Sequence, residues 1–305
     1  MDKTQKKAIL PATLAALLGN SIFGFSFMFS RMALESASPY VMLMYRFCLA
    51  FLCINGVALW ARAKKKEGWM RFQIPWKKSA PLFVLGLVQP VCYFLCESWG
   101  ISLTNATVSG VIIALIPIAA LAGGAVFLKE RPGWKRLFFS LMCILGVIVM
   151  TLQQSASGDV KALGIVLLVG AVVSGAAYNM MSRGISKQFS ALERTYVMML
   201  TGAIVFSVLA AAENRENFSL LLAPLQNGTF MLSMVYLSLF SSILAFLCLN
   251  FAATVLPVSK TTAFCNITTV LSVFAGAVFL GDAVTPVSVL AALVIIFGVF
   301  GVQKT

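Results

Sequence analysis

The sequence predicts an all-α polytopic membrane protein whose ten transmembrane helices form two inverted five-helix repeats. Three observations predict this fold: a very apolar composition, ten apolar runs of membrane-spanning length, and self-similarity of the chain at an offset of 152 residues. Of the 305 residues, 60% are hydrophobic and 11% are charged. Soluble domains average about 25% charged residues. Because a soluble chain of this length could not bury so many apolar side chains, the bilayer must be its solvent.

The charged residues and the cysteines exclude several classes of protein. The net charge is +13, but the Lys and Arg residues occur in short clusters between apolar runs. They form no continuous basic face interleaved with aromatic residues, which argues against nucleic-acid binding. The chain has no His, the commonest transition-metal ligand and general base. All seven Cys lie within apolar runs, so we expect no disulfide, metal site or cofactor.

Ten runs are long enough to cross a membrane as helices. A helix rises 1.5 Å per residue, so about 20 apolar residues span the hydrocarbon core. Pro90 and Pro117 each remove a backbone donor inside a run, which predicts bends there. The predicted spans are 9–30, 39–61, 79–101, 105–128, 134–153, 161–182, 191–212, 228–252, 258–280 and 284–303.

The basic residues predict the orientation of these spans. With the N-terminus placed inside, 19 Lys and Arg residues fall on the cytoplasmic side and three on the outside. Cytoplasmic loops of membrane proteins carry the excess of positive charge. We therefore expect a multi-pass plasma-membrane protein with both termini in the cytoplasm. A compact chain without long tails suits a bacterial inner membrane.

The chain contains an internal duplication. One ungapped offset of 152 residues aligns segments from the first span to the last, which indicates a first repeat over 1–153 and a second over 154–305. Because each copy has five spans, an odd number, the second copy enters the membrane inverted. Inverted repeats place a binding site near the midplane and permit alternating access. The aligned pairs include Ser30-Arg31 with Ser182-Arg183, Phe94-Leu95-Cys96 with Phe246-Leu247-Cys248, and Gly124 to Leu128 with Gly276 to Leu280.

The five-plus-five organisation and three short motifs resemble the EamA-type drug/metabolite transporters. Pro117 leads into Phe127-Leu128-Lys129-Glu130-Arg131-Pro132, Tyr45-Arg46-Phe47 begins the second span, and Phe279-Leu280-Gly281-Asp282 ends the ninth. The second copy departs from the pattern at Thr269, which replaces the proline. The resemblance covers the whole chain and implies export or exchange of small metabolites, often amino acids. It also implies that spans 1, 3, 4, 6, 8 and 9 surround a central cavity.

Two charged residues stand out because they lie well inside predicted spans. Arg46 and Glu97 fall at similar depths on antiparallel neighbours, and a charge within the membrane needs a partner or a cavity. One interpretation is a structural ion pair between them. The other makes Glu97 the proton-coupling or amine-binding carboxylate. Apolar surroundings favour its protonated form and pairing with Arg46 favours the carboxylate, and the sequence leaves both interpretations open.

Polar residues at helical spacing indicate a substrate-binding cavity. Residues four apart lie on one face of a helix. The alternative role for each of these side chains is hydrogen bonding between packed membrane helices. The candidate binding residues are Asn20 on the first span, the Gln89, Tyr93 and Glu97 stripe on the third, Tyr178 and Asn179 on the sixth, and Asn266, between Thr262 and Thr269, on the ninth.

The combined observations predict a secondary transporter of small polar or amphipathic metabolites, such as amino acids. We expect a monomer embedded in the lipid bilayer and binding a small-molecule substrate, since one chain holds both halves of the site. A flippase or drug-efflux carrier for lipid-like compounds is the alternative. An intramembrane enzyme is disfavoured by the absence of His and because Glu97 is the single acid clearly inside a span. A channel is disfavoured because no ring of charge is present.

Overall fold

A computed structural model describes residues 3–74, 77, 79–127, 133–156, 160–256, 264–282 and 285–304. The chain is helical throughout these segments, which contain no β-strand. Helix α4 is in two pieces, and short helical turns precede α3 and α8. The helices are α1 (Lys3–Leu34), α2 (Pro39–Ala63), α3 (Ala80–Ser102), α4a (Ala106–Ile113), α4b (Ile116–Phe127), α5 (Trp134–Ala156), α6 (Ala162–Ile185), α7 (Ala191–Glu213), α8 (Gly228–Val255), α9 (Cys265–Phe279) and α10 (Pro286–Lys304).

The predicted all-α membrane class is confirmed. Within the described segments, six helices are long and apolar enough to cross a bilayer: α1 from Ile9 onward, α2, α3, α6, α7 and α8. The other four predicted runs contain shorter apolar helices. Ten crossings therefore stay a prediction. The shorter helices are Ala106–Ala120, Leu137–Gly146, Ile267–Phe279 and Val289–Gly301.

Side-chain caps fix where several helices begin. The first turn of a helix has unpaired backbone N–H groups, which Ser and Asn side chains satisfy. Asn105 Oδ1 accepts a hydrogen bond from Val108 N (2.8 Å) at the start of α4a. At α7, Ser190 and Glu193 form a reciprocal capping box, in which Glu193 N donates to Ser190 Oγ (3.0 Å) and Ser190 N donates to Glu193 (2.8 Å).

Three helices depart from α geometry at mid-length. In α3, residues Leu87–Cys92 form a π turn around Pro90, and α4 breaks between Ile113 and Ile116, just ahead of Pro117. The bends predicted at both prolines are confirmed. Helix α8 contains a longer π segment, Tyr236–Ala245, which has no proline and was not predicted. When the halves are aligned at the 152-residue offset, the two π segments overlap.

The contacts between helices stay similar when each helix of one half is replaced by its counterpart in the other half. Helix α2 packs on α7 and α5 on α10, and each of these pairs joins counterparts in the two halves. Helix α4a packs on α9, which is the counterpart of α4b at the 152-residue offset. Helix α1 packs on α8 and α9, whereas its counterpart α6 packs on α3 and both pieces of α4. Equivalent contacts of this kind are expected when a two-fold axis relates the halves. The repeat boundary at 153/154 and the inversion stay predictions.

The connection between α2 and α3 is held by the start of α7. The Glu193 carboxylate accepts hydrogen bonds from Gln73 N (2.8 Å) and from Arg71 Nη2 (3.4 Å). Ser190 Oγ donates to the Arg71 carbonyl oxygen (2.6 Å). A loop of the first half is therefore anchored on a helix of the second half.

Candidate substrate cavity

A central cavity lies among α1, α3, α4, α6, α8 and α9. These are the six spans that the resemblance implied. The wall is mostly apolar, with a few polar groups, as in most sites for small molecules. The lining residues are Asn20, Phe23, Ser26, Phe27, Gln89, Tyr93, Phe94, Glu97, Ile113, Ile116, Gly175, Tyr178, Asn179, Phe246, Leu249, Ala253 and Thr268.

The structure brings six of the seven candidate binding residues to this one cavity: Asn20, Gln89, Tyr93, Glu97, Tyr178 and Asn179. The side chain of Asn266 lies outside the described residues, as does the whole of Thr262. Thr269, the third member of the predicted α9 stripe, instead donates to the Gly110 carbonyl oxygen (3.3 Å). Its neighbour Thr268 is the described α9 residue that lines the cavity. The role of these residues in substrate binding stays a prediction.

Asn20 joins α1 to α9 at the cavity wall. Its amide donates to the Ala16 carbonyl oxygen (2.8 Å). Thr268 Oγ1 donates to the Asn20 backbone carbonyl (2.8 Å) and lies 3.3 Å from Asn20 Oδ1. The Asn20 side chain therefore lies in the cavity wall and also makes a hydrogen bond to the neighbouring helix.

The π turn of α3 carries Gln89 into the cavity wall. Gln89 has extended backbone angles (φ −145°, ψ 117°) within an otherwise helical segment. Ser174 Oγ of α6 donates to the carbonyl oxygen of Val88 (2.7 Å), which the widened turn leaves available. One turn beyond, Tyr93 Oη donates to Glu97 Oε1 (2.8 Å). π turns are common at functional sites.

Arg46 and Glu97 do not form the predicted ion pair. Within the described residues, the ion pairs join Arg71 with Glu193 and Arg215 with Glu216. Arg46 instead donates from Nε to Ser242 Oγ (2.9 Å) and from Nη2 to Ser241 Oγ (2.8 Å). Those hydroxyls lie on the π segment of α8, which the sequence did not reveal, and they satisfy two of the guanidinium nitrogens.

Aromatic rings close much of the cavity around Phe246. Its ring centroid lies 5.2 Å from Phe23, 6.2 Å from Phe94 and 6.1 Å from Tyr178, each in an edge-to-face arrangement. Edge-to-face rings attract through their quadrupoles. The wall thus offers ring faces and edges to an apolar or cationic portion of a ligand.

A second buried arginine, Arg194, is connected to the cavity wall through hydrogen bonds. Arg194 is fully buried and donates to the Ser182 carbonyl (3.0 Å), to Ser182 Oγ (2.5 Å) and to the Asn250 carbonyl (2.7 Å). Asn250 Oδ1 in turn accepts from Tyr178 Oη (2.9 Å). The sequence interpretation placed Arg194 among the cytoplasmic charges. Its position in the first turn of a span, four residues after Ser190, was the signal for a buried role.

The described residues contain no group of three or more Cys, Asp or Glu arranged to hold a metal ion. Six cysteines have described side chains and all are free thiols; they lie on four different spans and hold no common site. The polar groups of the cavity are amides, hydroxyls and one carboxylate, which bind solutes by hydrogen bonds and charge.

The family model described as "EamA-like transporter family" matches the chain twice, over residues 10–152 and 162–303. The chain belongs to the EamA-like transporter family. The family resemblance predicted from the sequence is confirmed, and so is a multi-pass membrane protein of the transporter class. The two matches together cover nearly the whole chain, one in each half.

Similar curated proteins are also called transporters. An uncharacterized transporter, YcxC, of Bacillus subtilis (strain 168) is 29% identical over 294 residues, which cover 95% of this chain and 92% of the relative. An uncharacterized transporter of Archaeoglobus fulgidus is 24% identical over 233 residues, covering 76% of this chain and 80% of the relative. A solved crystal structure that is 18% identical superposes with a TM-score of 0.63, covering 97% of this chain and 96% of that one, and supports the fold.

Proposed function

We propose that this EamA-like transporter is a secondary carrier that exports or exchanges a small polar or amphipathic metabolite, such as an amino acid. The substrate binds in the central cavity, which opens alternately to the two sides of the membrane. The single observation that carries the proposal is the convergence of Asn20, Gln89, Tyr93, Glu97, Tyr178 and Asn179 on one cavity.

The packing of the helices supports alternating access. Counterpart helices of the two halves pack on each other, and α1 and α6 exchange equivalent partners. Halves related in this way can rock around a fixed site between them, so that two equivalent conformations face opposite sides. The π turn of α3 and the break in α4 lie along the cavity, where bends of this kind accommodate such movement.

The carrier acts as a monomer in a bacterial inner membrane, with both termini in the cytoplasm. The distribution of Lys and Arg supports this orientation. The monomer follows from the presence of both halves of the site in one chain. The proposal assigns no catalysis, since the chain lacks the His that most often serves as a general base.

Export of lipid-like or drug-like compounds is the second candidate function. The observation that favours it is the aromatic wall formed by Phe23, Phe94, Tyr178 and Phe246. Such a wall binds hydrophobic solutes by stacking and burial. Transport competition between an amino acid and a hydrophobic organic cation distinguishes the two candidates.

Counterflow in proteoliposomes tests the proposed function. Vesicles loaded with one unlabelled amino acid, nucleoside or organic cation at a time are diluted into the same labelled compound. We expect saturable uptake for one chemical class only. Asn20→Ala and Asn179→Ala should each lower that uptake at least tenfold, because each removes a cavity hydrogen-bonding group worth roughly 1.5 kcal/mol.

Asn55→Ala provides the matched control. Asn55 makes the same type of backbone hydrogen bond, to the Phe51 carbonyl oxygen (2.6 Å), and accepts another from Tyr196 Oη (2.9 Å). It lines a separate groove between α2, the α2–α3 connection and α7. Its uptake should stay within twofold of the unmodified chain. Equal losses in all three variants, or no saturable uptake of any class, would contradict the proposal.

A further inference from the structure

Arg46 keeps one guanidinium nitrogen without a hydrogen-bond partner. The residue is 1% exposed, and Nη1 has no partner, although Nε and Nη2 donate to Ser242 and Ser241. A charged group buried at membrane depth is costly unless it is paired or faces a cavity. The unused donor therefore points to a partner that is absent from the isolated chain.

One aromatic ring separates this charge from the cavity. The guanidinium carbon of Arg46 lies 4.2 Å from the ring centroid of Phe94, and Phe94 itself lines the cavity. A cation over a ring face gains part of the stabilisation that an anion would give. The Phe94 ring thus covers the guanidinium.

Two further buried hydroxyls near these residues in sequence lack partners. Ser98 Oγ lies on α3, four residues after Phe94, and Ser238 Oγ lies on α8, three residues before Ser241. Buried polar atoms are almost always hydrogen-bonded, so isolated exceptions call for an explanation. These two exceptions lie on the two helices that contact the Arg46 guanidinium, and a third, Thr107 Oγ1, lies on α4a.

The acidic residue Glu97 lies in the cavity wall. Glu97 Oε1 accepts a hydrogen bond from Tyr93 Oη. Glu97 and Arg46 form no ion pair with each other. The site therefore presents a carboxylate in the cavity and a guanidinium directly behind its wall.

We propose that Arg46 is an occluded anion subsite that binds the carboxylate of a zwitterionic substrate when Phe94 turns aside, while Glu97 binds the substrate's ammonium group. This inference rests on the proposed function and names the substrate class of the same cavity. A zwitterion pairs both buried charges at once. A simple amine or a simple acid leaves one of them unpaired, so the site discriminates against both.

Three matched compounds test the subsite on the purified full-length chain: L-phenylalanine, phenethylamine, which lacks its carboxylate, and 3-phenylpropanoate, which lacks its amine. Binding is measured by isothermal calorimetry. We expect L-phenylalanine to bind at least tenfold more tightly than either analogue. Arg46→Gln should lower L-phenylalanine affinity to the level of phenethylamine and leave phenethylamine binding unchanged.

Arg215→Gln controls for the loss of a positive charge, since Arg215 is exposed and pairs only with Glu216. It should leave all three affinities unchanged. If Arg46→Gln does not fold, Phe94→Leu supplies an independent test with the guanidinium intact. Removing the covering ring should raise the affinity for 3-phenylpropanoate roughly tenfold, since a charge-assisted hydrogen bond contributes about that factor.

Several results overturn the inference. The first is binding of phenethylamine as tight as that of L-phenylalanine in the unmodified chain. The second is an equal loss of affinity for all three compounds in Arg46→Gln. The third is unchanged or weaker 3-phenylpropanoate binding in Phe94→Leu. Absence of binding by all three compounds also overturns it. If counterflow still shows uptake of another solute class, the proposed carrier function stands, whereas absence of counterflow uptake removes both proposals.

Discussion

Arg31 and Arg183 make the same hydrogen bond in the two halves of the chain. Arg31 Nη1 donates to the carbonyl oxygen of Ile101 (3.1 Å), and Arg183 Nη1 donates to that of Ala253 (2.5 Å). In each case the acceptor lies 70 residues after the arginine. The bond joins α1 to the end of α3 in one half and α6 to the end of α8 in the other, as expected if the chain is an internal duplication.

Neutralising the two arginines should bias the carrier in opposite directions. Under the proposed inverted arrangement their bonds lie at opposite membrane faces, and each closes a gap between two cavity-lining helices. In a cysteine-free background, Arg31→Gln should increase labelling of a cysteine at Asn20 by a membrane-impermeant maleimide added outside. Arg183→Gln should increase labelling from the inside. The same direction of change in both variants would contradict the arrangement.

The network behind Tyr178 should contribute to stability as well as to the cavity. Arg194→Gln removes donors from the buried carbonyl groups of Ser182 and Asn250, and leaving such groups unsatisfied costs about 2–3 kcal/mol. We expect a lower thermal midpoint in detergent. Lys187→Gln, at an exposed position outside the network, serves as control, and an unchanged midpoint for Arg194→Gln would show that the network is dispensable.

Glu97 is the residue at which we expect proton coupling. Glu97→Gln retains the size of the side chain and its contact with Tyr93 but cannot titrate. It should abolish uptake driven by a pH gradient, whereas equilibrative exchange should continue with a weaker apparent affinity, because Glu97 also lines the substrate cavity. Glu216→Gln, at an exposed carboxylate, is the matched control. Gradient-driven uptake that persists unchanged in Glu97→Gln would contradict a role of Glu97 in proton coupling.

The crossing of α4a and α9 depends on a glycine. A Cβ atom at Gly110 would overlap the Ser272 side chain, whereas one at Gly56 on α2 would meet nothing within 4 Å. Overpacking of this kind costs roughly 1–3 kcal/mol. Gly110→Ala should therefore lower the thermal midpoint and Gly56→Ala should not. Equal midpoints for the two variants would show that the crossing relaxes at little cost.

The sequence was sufficient for the membrane class, the positions of the helices and most of the cavity. The residues Gln89, Tyr93 and Glu97 could be grouped because four-residue spacing aligns side chains on a helix. Asn20 and Tyr178 could be added because they lie on spans that the family resemblance places around the cavity. These predictions depend on periodicity and composition, which a single sequence records directly.

The partner of Arg46 could not be predicted from the sequence. Similar depth in the membrane suggested Glu97, but depth does not give the direction in which a side chain points. The π segment of α8 rotates the following residues relative to a regular helix, and it carries no proline that would reveal it. The burial of Arg194 was missed for a related reason, because the positive-inside rule already explained a basic residue at that end of a span.

The hydrogen bonds of Arg46 also set an order for biosynthesis. Ser242, which accepts from its Nε, is 196 residues further along the chain. At about 5–20 residues per second, the ribosome reaches that serine roughly 10 to 40 s after it has made the arginine. During that interval α2 is in the translocon or in the lipid, and the Arg46 guanidinium lacks its two serine partners. A factor that shelters nascent membrane segments must hold the second helix through this interval.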